Sequence, residues 1–519
     1  MEHDAISAVP RTAGFSAIRP GDPRYESLLR GANHRFSASP EEIHVITTAE
    51  QAVSVVGAAA RSGSVIAVRS GGHGFEDFAA DPRARVLLDM SEMDHVGYDE
   101  ERDAFVVEAG STLGHLYRVL FKGWGVTIPG GECPEVGVGG HLIGGGYGPL
   151  SRRYGSVVDF LYGVEVVVVD EDRNAELVVG TRDPDDPHHD LWWAHTGGGG
   201  GNFGVVTRFW LRCAEPGKTG PGEILPPAPR MWRSRAEMWP WESLDEETFG
   251  RLLSNFGSWF ENNSSPGSPG TDITGFLHAS PLGGHGLMVG AMADDDVPGV
   301  TEVLDDFFDG VRSGVDPSPA RVESVRPWLE FAAYPGWGDP GDSETRRIKI
   351  KAAYMRRGFS DRQVSTVRRH LTTDEPHESQ LILIGYGGRV NTVEPHRTAT
   401  AQRDSILKAA YMSVWGSAAE DERNIRHLRE FYRDVYAATG GVPVPDDSTD
   451  GSYINYPDKD LADPVWNRSG VPWTDLYYKD NYPRLQRVKE RYDPGDLFRH
   501  SLSIVLPEES GGERDHGAR

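Results

Sequence analysis

Three glycine-rich loops in the first 204 residues constrain this chain more than any other feature. Ser70-Gly71-Gly72-His73-Gly74 follows the apolar run Ser64–Arg69. Gly130 to Gly148 reads GGECPEVGVGGHLIGGGYG. Gly197–Gly201 leads through Asn202-Phe203-Gly204 into the apolar stretch Val205–Leu211. Such density of glycine belongs to neither helix nor strand. Glycine lets backbone approach a ligand closely and aim successive N–H groups at an anion. A tight turn accounts for any one of these loops. All three together, around His73 and Cys133, predict a long ligand with a diphosphate and flat rings.

Two commoner nucleotide sites are excluded. Gly199, Gly201 and Gly204 have dinucleotide-fingerprint spacing, but a helical turn (Asp190–His195) precedes them and a strand follows, the reverse of the required order. Gly217-Lys218-Thr219 resembles the end of a phosphate loop, yet Arg212 occupies the upstream glycine position.

Around the loops the pattern alternates. Strands are predicted at 42–46, 64–69, 85–89 and 104–108. Thr47 with Glu50 reads as a capping box opening a helix to Arg61, and Ser111 as the cap of a helix to Phe121. Val164–Asp170 and Glu176–Val179 form a hairpin pattern. Glu215–Pro229 is dense in Pro and Gly and reads as a linker. Beyond it, amphipathic helices (248–262, 301–312, 361–371, 417–438) alternate with strands (272–279, 287–292, 379–386), and a last helix runs from Asp480 to Tyr492. The alternation reads as α/β or α+β.

Charge and composition narrow the chemistry. Lys and Arg number 53 against 78 Asp and Glu, a net −25, which excludes duplex nucleic acid and anionic membrane as partners. Two cysteines exclude a disulfide framework or a thiolate zinc cluster, and Cys213 reads as structural. No metal is expected: His73 and Cys133 have no further ligands at metal spacing, His188-His189 reads as a solvated turn, and His95, His115, His141 and His195 form no cluster. The longest apolar run, Phe160–Val169, is about half a membrane span. No signal peptide is visible at the N-terminus, so a cytoplasmic location is expected.

Several motifs together resemble the berberine-bridge-enzyme-like flavin oxidases: Arg69-Ser70-Gly71-Gly72-His73, Gly130-Gly131-Glu132-Cys133, Gly139-Gly140-His141-Leu142, Gly144-Gly145-Gly146-Tyr147-Gly148, Ser151-Arg152-Arg153-Tyr154-Gly155, Gly201-Asn202-Phe203-Gly204-Val205-Val206, Tyr453-x-Asn455-Tyr456-x-Asp458 and Asn481-Tyr482-x-Arg484-Leu485. The resemblance implies FAD attached twice, through His73 to the 8α-methyl and through Cys133 to ring carbon 6. It implies further cofactor contacts at Arg69, Ser70, Gly71, Gly72, Gly74, Gly130, Gly131, Val138, Gly139, Gly140, His141, Gly145, Gly146, Gly148, Gly204, Val206, Tyr453 and Asn455. The implied fold is α+β, with a vanillyl-alcohol-oxidase/PCMH-type FAD-binding domain built from both chain ends (1–212 and 445–508). A substrate domain with an antiparallel sheet backed by helices (213–444) is inserted between them, and 509–519 form a disordered tail. Within the family the sequence is similar to actinomycete oxidases that tailor sugars on antibiotics, in particular the hexose oxidases of teicoplanin-type glycopeptides. These oxidise the C6 alcohol of a bound N-acylglucosamine to a carboxylate.

That likeness assigns Tyr456 as base for the substrate hydroxyl and Tyr147 as its neighbour, with a glycopeptide or glycoside and molecular oxygen as partners. Strand alternation would turn Tyr453 and Asn455 to one face and Tyr456 to the other. A free tyrosine has a pKa of about 10, so a standing phenolate needs a nearby cation, for which Arg152 and Arg153 are the candidates. Otherwise the proton leaves in concert with hydride transfer, or the tyrosines only shape the pocket. Oxidation at C1 of an oligosaccharide or at a secondary hydroxyl of an anthracycline sugar is the alternative chemistry, and a silent flavoprotein the non-enzymatic one. Trp328, Tyr334, Trp337 and Tyr386 read as core aromatics.

Overall fold

The computed structural model describes residues 16–29, 31–332 and 346–507. Tyr334, Trp337 and the tail at 509–519 lie outside the described residues. Three sheets organise the chain. β1 (Glu42–Val45), β2 (Ile66–Arg69) and β3 (Val86–Asp89) form a parallel sheet in the order β1-β3-β2. β4 (Val96–Asp99), β5 (Ala104–Glu108), β6 (Leu161–Val169), β7 (Ala175–Thr181) and β8 (Val205–Leu211) form an antiparallel sheet in the order β4-β5-β8-β6-β7. The third sheet comprises β9 (Met231–Trp239), β10 (Ile273–Ala279), β11 (Leu287–Asp294), β12 (Ala320–Pro327), β13 (Arg347–Met355), β14 (Ser379–Gly385) and β15 (Leu407–Trp415). It is antiparallel throughout, in the order β12-β9-β11-β10-β14-β15-β13.

The helix Ala49–Ser62 joins the first two sheets. Its apolar stripe, Ala52, Val56, Ala59 and Ala60, packs into one core with Leu88 of β3, Val167 of β6 and Val205 of β8. Its cap falls one residue later than the sequence suggests. The Thr48 side chain accepts from the Gln51 amide, while the Gln51 side chain accepts from the amide and hydroxyl of Thr47, so Gln51 and not Glu50 completes the reciprocal cap. The next helix, Leu113–Trp124, is likewise capped by Thr112 rather than Ser111.

The seven-stranded sheet has two unlike faces. Odd-numbered positions such as Leu277, Leu381, Leu383, Leu407, Ala409 and Tyr411 share a core with the helices Glu246–Asn263, Val300–Arg312, Asp361–Leu371 and Asp421–Val435. Even-numbered positions point the other way, toward the glycine loops. Four of its strands, β9, β12, β13 and β15, escape the sequence pattern. β12 is an exposed edge strand, and β13 and β15 (RIKIKAAYM and LKAAYMSVW) mix alanine and lysine into buried positions where a strand usually shows Val or Ile. The helix predicted over 417–438 is regular only from Asp421 to Val435.

The last residues return to the first. Lys489, on the helix Tyr482–Tyr492, donates to Asn202 O at 2.9 Å, and the amide of Ile504 donates to the Asn202 side chain at 2.8 Å. Asn202 in turn holds the Gly198 and Gly199 carbonyls of the third loop.

The first two glycine loops meet backbone to backbone. A Cβ on Gly71 would stand 2.4 Å from Gly137 N and 2.7 Å from Glu135 O, and one on Gly137 would stand 2.2 Å from Gly71 N. Neither clash is relieved by a flexible side chain. Gly71→Ala is therefore expected to cost about 1–3 kcal/mol by overpacking, seen as a lower thermal midpoint, and to loosen the loops that carry His73 and Cys133.

Candidate active site

A cavity of about 820 Å³ lies between the glycine loops and the even-numbered face of the seven-stranded sheet. The loop wall brings together Arg69, Ser70, Gly71, Gly72, His73 and Gly74 with Gly131, Cys133, Gly139, Gly140, His141, Tyr147 and Gly148. Gly204, Val206, Tyr453, Asn455 and Tyr456 complete it. Gly130, Val138, Gly145 and Gly146, expected as contacts, stand behind this wall. A Cβ on Gly130 would meet the Tyr117 hydroxyl at 2.7 Å, one on Gly145 Thr400 Oγ1 at 2.3 Å, and one on Gly146 His141 Nε2 at 2.2 Å. Val138 is buried core that starts the short helix Val138–Ile143, itself hidden by glycine in the sequence pattern. The opposite wall is apolar: Phe276, Met292, Ile348, Ile350, Ile382, Ile384, Ala410, Met412 and Val414, with Thr274 the one hydroxyl among these sheet positions.

At one end of the cavity stands a group of tyrosines. The segment 453–456 is a turn, not a strand: the Tyr456 amide donates to Tyr453 O at 2.9 Å. The expected opposition of Tyr453 and Tyr456 therefore fails, and their rings pack edge to face at 5.0 Å. Asn455 locks the turn by donating to His141 O at 3.0 Å and to the Tyr453 hydroxyl at 3.2 Å. The Tyr147 and Tyr456 hydroxyls lie 3.2 Å apart, and Phe75 meets the Tyr456 ring edge-on at 5.6 Å.

The basic side chain at this cluster is Lys408, which the sequence pattern did not reveal. Its Nζ sits 3.4 Å from the Tyr147 ring centroid, 3.8 Å from Tyr453, 4.4 Å from Tyr386 and 4.5 Å from Tyr354, and no hydrogen-bond acceptor reaches it. Arg152 is spent elsewhere, donating to the carbonyls of Ile273, Asn263, Gly270 and Tyr386 and to Ser264 Oγ. Arg153 pairs with Asp272 and Asp294. The signal for Lys408 was a single lysine at an inward position of a strand otherwise facing in with Ala410, Met412 and Val414. It was illegible until β15 itself was recognised. Tyr386, read as core, belongs to this cluster; Trp328 is core, packed on Trp232.

Burial sets the protonation of the group. It pushes Tyr456 up to about 12, partly offset by the Tyr147 hydrogen bond, and raises Tyr147 well above the ordinary phenol range. It pulls Lys408 well below the ordinary amine range, helped by repulsion from Arg403. His141 falls to about 4 through burial and the proximity of Lys408, so its imidazole is neutral and accepts from the Gly131 amide at 3.1 Å. Glu132, beside Cys133 on the cavity wall, is raised to about 7 by burial. His500, from the far end of the chain, stacks on Phe78 at 3.8 Å and bonds Gly200 O at 2.9 Å, closing the cavity beside the third loop.

These residues fit an elongated flavin nucleotide. An imidazole and a thiol from separate loops line one cleft, and Gly140 leaves its backbone bare toward it, since a Cβ there would meet nothing within 4 Å. Among the described residues no group of three or more His, Cys, Asp or Glu side chains is arranged to hold a metal, and no helix is long and apolar enough to cross a membrane.

Fold and cleft define an FAD-linked oxidase with a PCMH-type binding domain. The FAD binding domain family matches residues 40–172, and the family described as berberine and berberine like matches residues 452–505. The aclacinomycin-N/aclacinomycin-A oxidase of Streptomyces galilaeus is 49% identical over 94% of this chain and 89% of its own. The hexose oxidase of Chondrus crispus is 30% identical over 93% of each. The crystal structure of a glycopeptide hexose oxidase complexed with teicoplanin superposes with a TM-score of 0.91 at 47% identity, covering 95% of this chain and 99% of the other. The chain belongs to the berberine-bridge-enzyme-like oxidases. It is an FAD-dependent oxidase of the sugar- and alcohol-oxidising kind.

Lys408 supplies a test of how the site is held. Its pKa in the folded chain lies below the unfolded value of about 10.4, so between the two values only the unfolded chain binds the proton. The cost to folding therefore grows as pH falls through that window. Lys408→Met is expected to stabilise the fold at pH 7 by roughly 1–3 kcal/mol, and less near pH 10, measured as thermal midpoints at the two pH values.

Proposed function

We propose that FAD is held twice, by His73 and Cys133, and that Tyr456 takes the proton of a sugar hydroxyl while Tyr147 and Lys408 tune it. The observation that carries this reading is the pair of tyrosine hydroxyls at 3.2 Å over a buried lysine, at the end of the cleft that also contains the imidazole and the thiol. The bound flavin supplies the hydride acceptor. Tyr456, Tyr147 and Lys408 act as one coupled acid–base set. With Tyr456 held near 12, little of it is phenolate, and that fraction is the reactive form: its oxygen takes the substrate proton as hydride leaves carbon, and the phenol so formed returns the proton to solvent before the next turnover. The rate then rises with pH along a limb that belongs to the whole set.

For substrate, the likeness to the glycopeptide hexose oxidase supports the C6 primary alcohol of an N-acylglucosamine on a glycopeptide antibiotic. Oxidation runs from alcohol to aldehyde, then from the hydrated aldehyde to carboxylate, each step passing two electrons to molecular oxygen and yielding H2O2. A second reading is favoured by the apolar sheet wall, together with the aclacinomycin oxidase likeness: a secondary hydroxyl of an anthracycline sugar, the wall receiving an apolar aglycone. That wall offers little to a second polar sugar ring and weighs against C1 of an oligosaccharide.

Three results test the proposal. Acid-precipitated protein should stay yellow, and His73→Ala and Cys133→Ala should each leave one attachment. Tyr456→Phe should retain flavin and lose about 10²–10⁴-fold in kcat; near-normal turnover refutes Tyr456 as base. Product masses separate the substrates: exchange of two hydrogens for one oxygen marks carboxylate formation, and loss of two hydrogens alone marks a ketone.

A further inference from the structure

Behind the cavity wall lies a buried set of charges that the chemistry above does not use. Lys349 and Lys351 alternate with Ile348 and Ile350 along β13, so the isoleucines face the cavity and the lysines face away. Lys349 Nζ bonds Glu76 at 2.7 Å and Asp458 at 2.6 Å. Lys351 bonds Asp458 and, at 2.9 Å, Asp460. Arg429 closes the set on Asp460 at 2.6 Å. Lys459 reaches Glu76 from the outside at 3.7 Å, so four cations meet three carboxylates, and Glu76, Lys349, Lys351, Asp458 and Asp460 are each at most 4% exposed.

The members come from four separate parts of the chain, and their positions are pointed. Glu76 follows His73 by three residues, and Phe75 beside it packs on the Tyr456 ring. Asp458 follows Tyr456 by two. Asn33 reinforces the junction, donating to Phe75 O at 3.3 Å and Ile348 O at 3.0 Å. Burial opposes the Lys349 ammonium, but Asp458 and Glu76 outweigh it and raise its pKa, so the charge persists at all working pH values. A buried ion pair is weak evidence for stability, since apolar residues of equal volume often hold a fold as well; fixing one geometry among several is its better-attested use.

We propose that this cluster is a positioning clamp that sets the Tyr456 hydroxyl against the His73 loop, with Lys349, bonded to both segments, as its central positioning residue. The proposal rests on Tyr456 being the base. It predicts that loosening the clamp degrades proton transfer while cofactor attachment and substrate binding persist.

The test uses the flavin-loaded holoenzyme with Lys349→Met/Glu76→Gln, which removes one cation and one anion together, and Lys349→Arg as the conservative variant. Aclacinomycin A and teicoplanin are the probes, with H2O2 formation normalised to covalently bound flavin. The double variant is expected to lose about 30-fold in kcat with little change in KM, and to show a larger solvent deuterium effect, while Lys349→Arg recovers most of the rate. In a Tyr456→Phe background the same double substitution should add nothing, because the clamp acts through that hydroxyl. A crystal structure of the double variant should show the Tyr456 and Tyr147 hydroxyls parted beyond hydrogen-bond distance, a readout independent of any substrate. Unchanged kcat per flavin, an unmoved tyrosine pair, a fully additive loss in the Tyr456→Phe background, or failure of every clamp variant to fold each overturns the proposal, the last by assigning the cluster to stability alone. Normal turnover in Tyr456→Phe by itself is a different failure, that of the base assignment.

Discussion

The cleft exists because two strips of backbone touch where no side chain can stand. Gly71 and Gly137 meet at distances that exclude a Cβ on either, and this contact brings the imidazole-bearing and thiol-bearing loops onto one wall. Ser70 extends the junction by donating to Ala109 O at 2.6 Å. Arg69 anchors it from beneath through Asp89, its neighbour across β2 and β3, at 2.6 Å. The parallel sheet therefore acts as a footing for one loop, and the helix Val138–Ile143 for the other.

Against this rigid wall the seven-stranded sheet supplies an unlike surface. Its cavity face is almost wholly hydrocarbon until the tyrosine end, where β15 contributes an amine held by ring faces alone. Desolvation there costs the amine its usual proton affinity and costs the phenols their acidity. In water an amine and a phenol titrate at nearly the same pH, about 10.4 and 10, and burial drives the two apart, holding each toward its neutral form.

How much of this was legible beforehand depends on where the signal lived. The loops, His73, Cys133, Tyr147 and Tyr456 declared themselves through local composition and motif, and all converge on the cavity. Alternating patterns narrowed the class to α/β or α+β, and the family motifs selected α+β. What failed was long-range. The turn at Tyr453 looked like a strand because four residues cannot distinguish the two without knowing that the Tyr456 amide folds back. Arg152 looked like the cation because it is near Tyr147 in sequence, yet five acceptors from the sheet and its connections claim it. Lys408 could not be found without β15, and β15 could not be found from a sequence of alanine, lysine and tyrosine that fits helix as readily. Gly130, Gly145 and Gly146 belong to the right loop but serve its packing rather than its surface.

The anchoring of Asn202 by Lys489 and Ile504 has a consequence for biogenesis. Tyr453, Asn455, Tyr456 and His500 all border the cavity, so the pocket is unfinished while the final seventy residues are still being made. A chain cut short before Tyr453 lacks this end of the cavity and the bonds that brace Asn202.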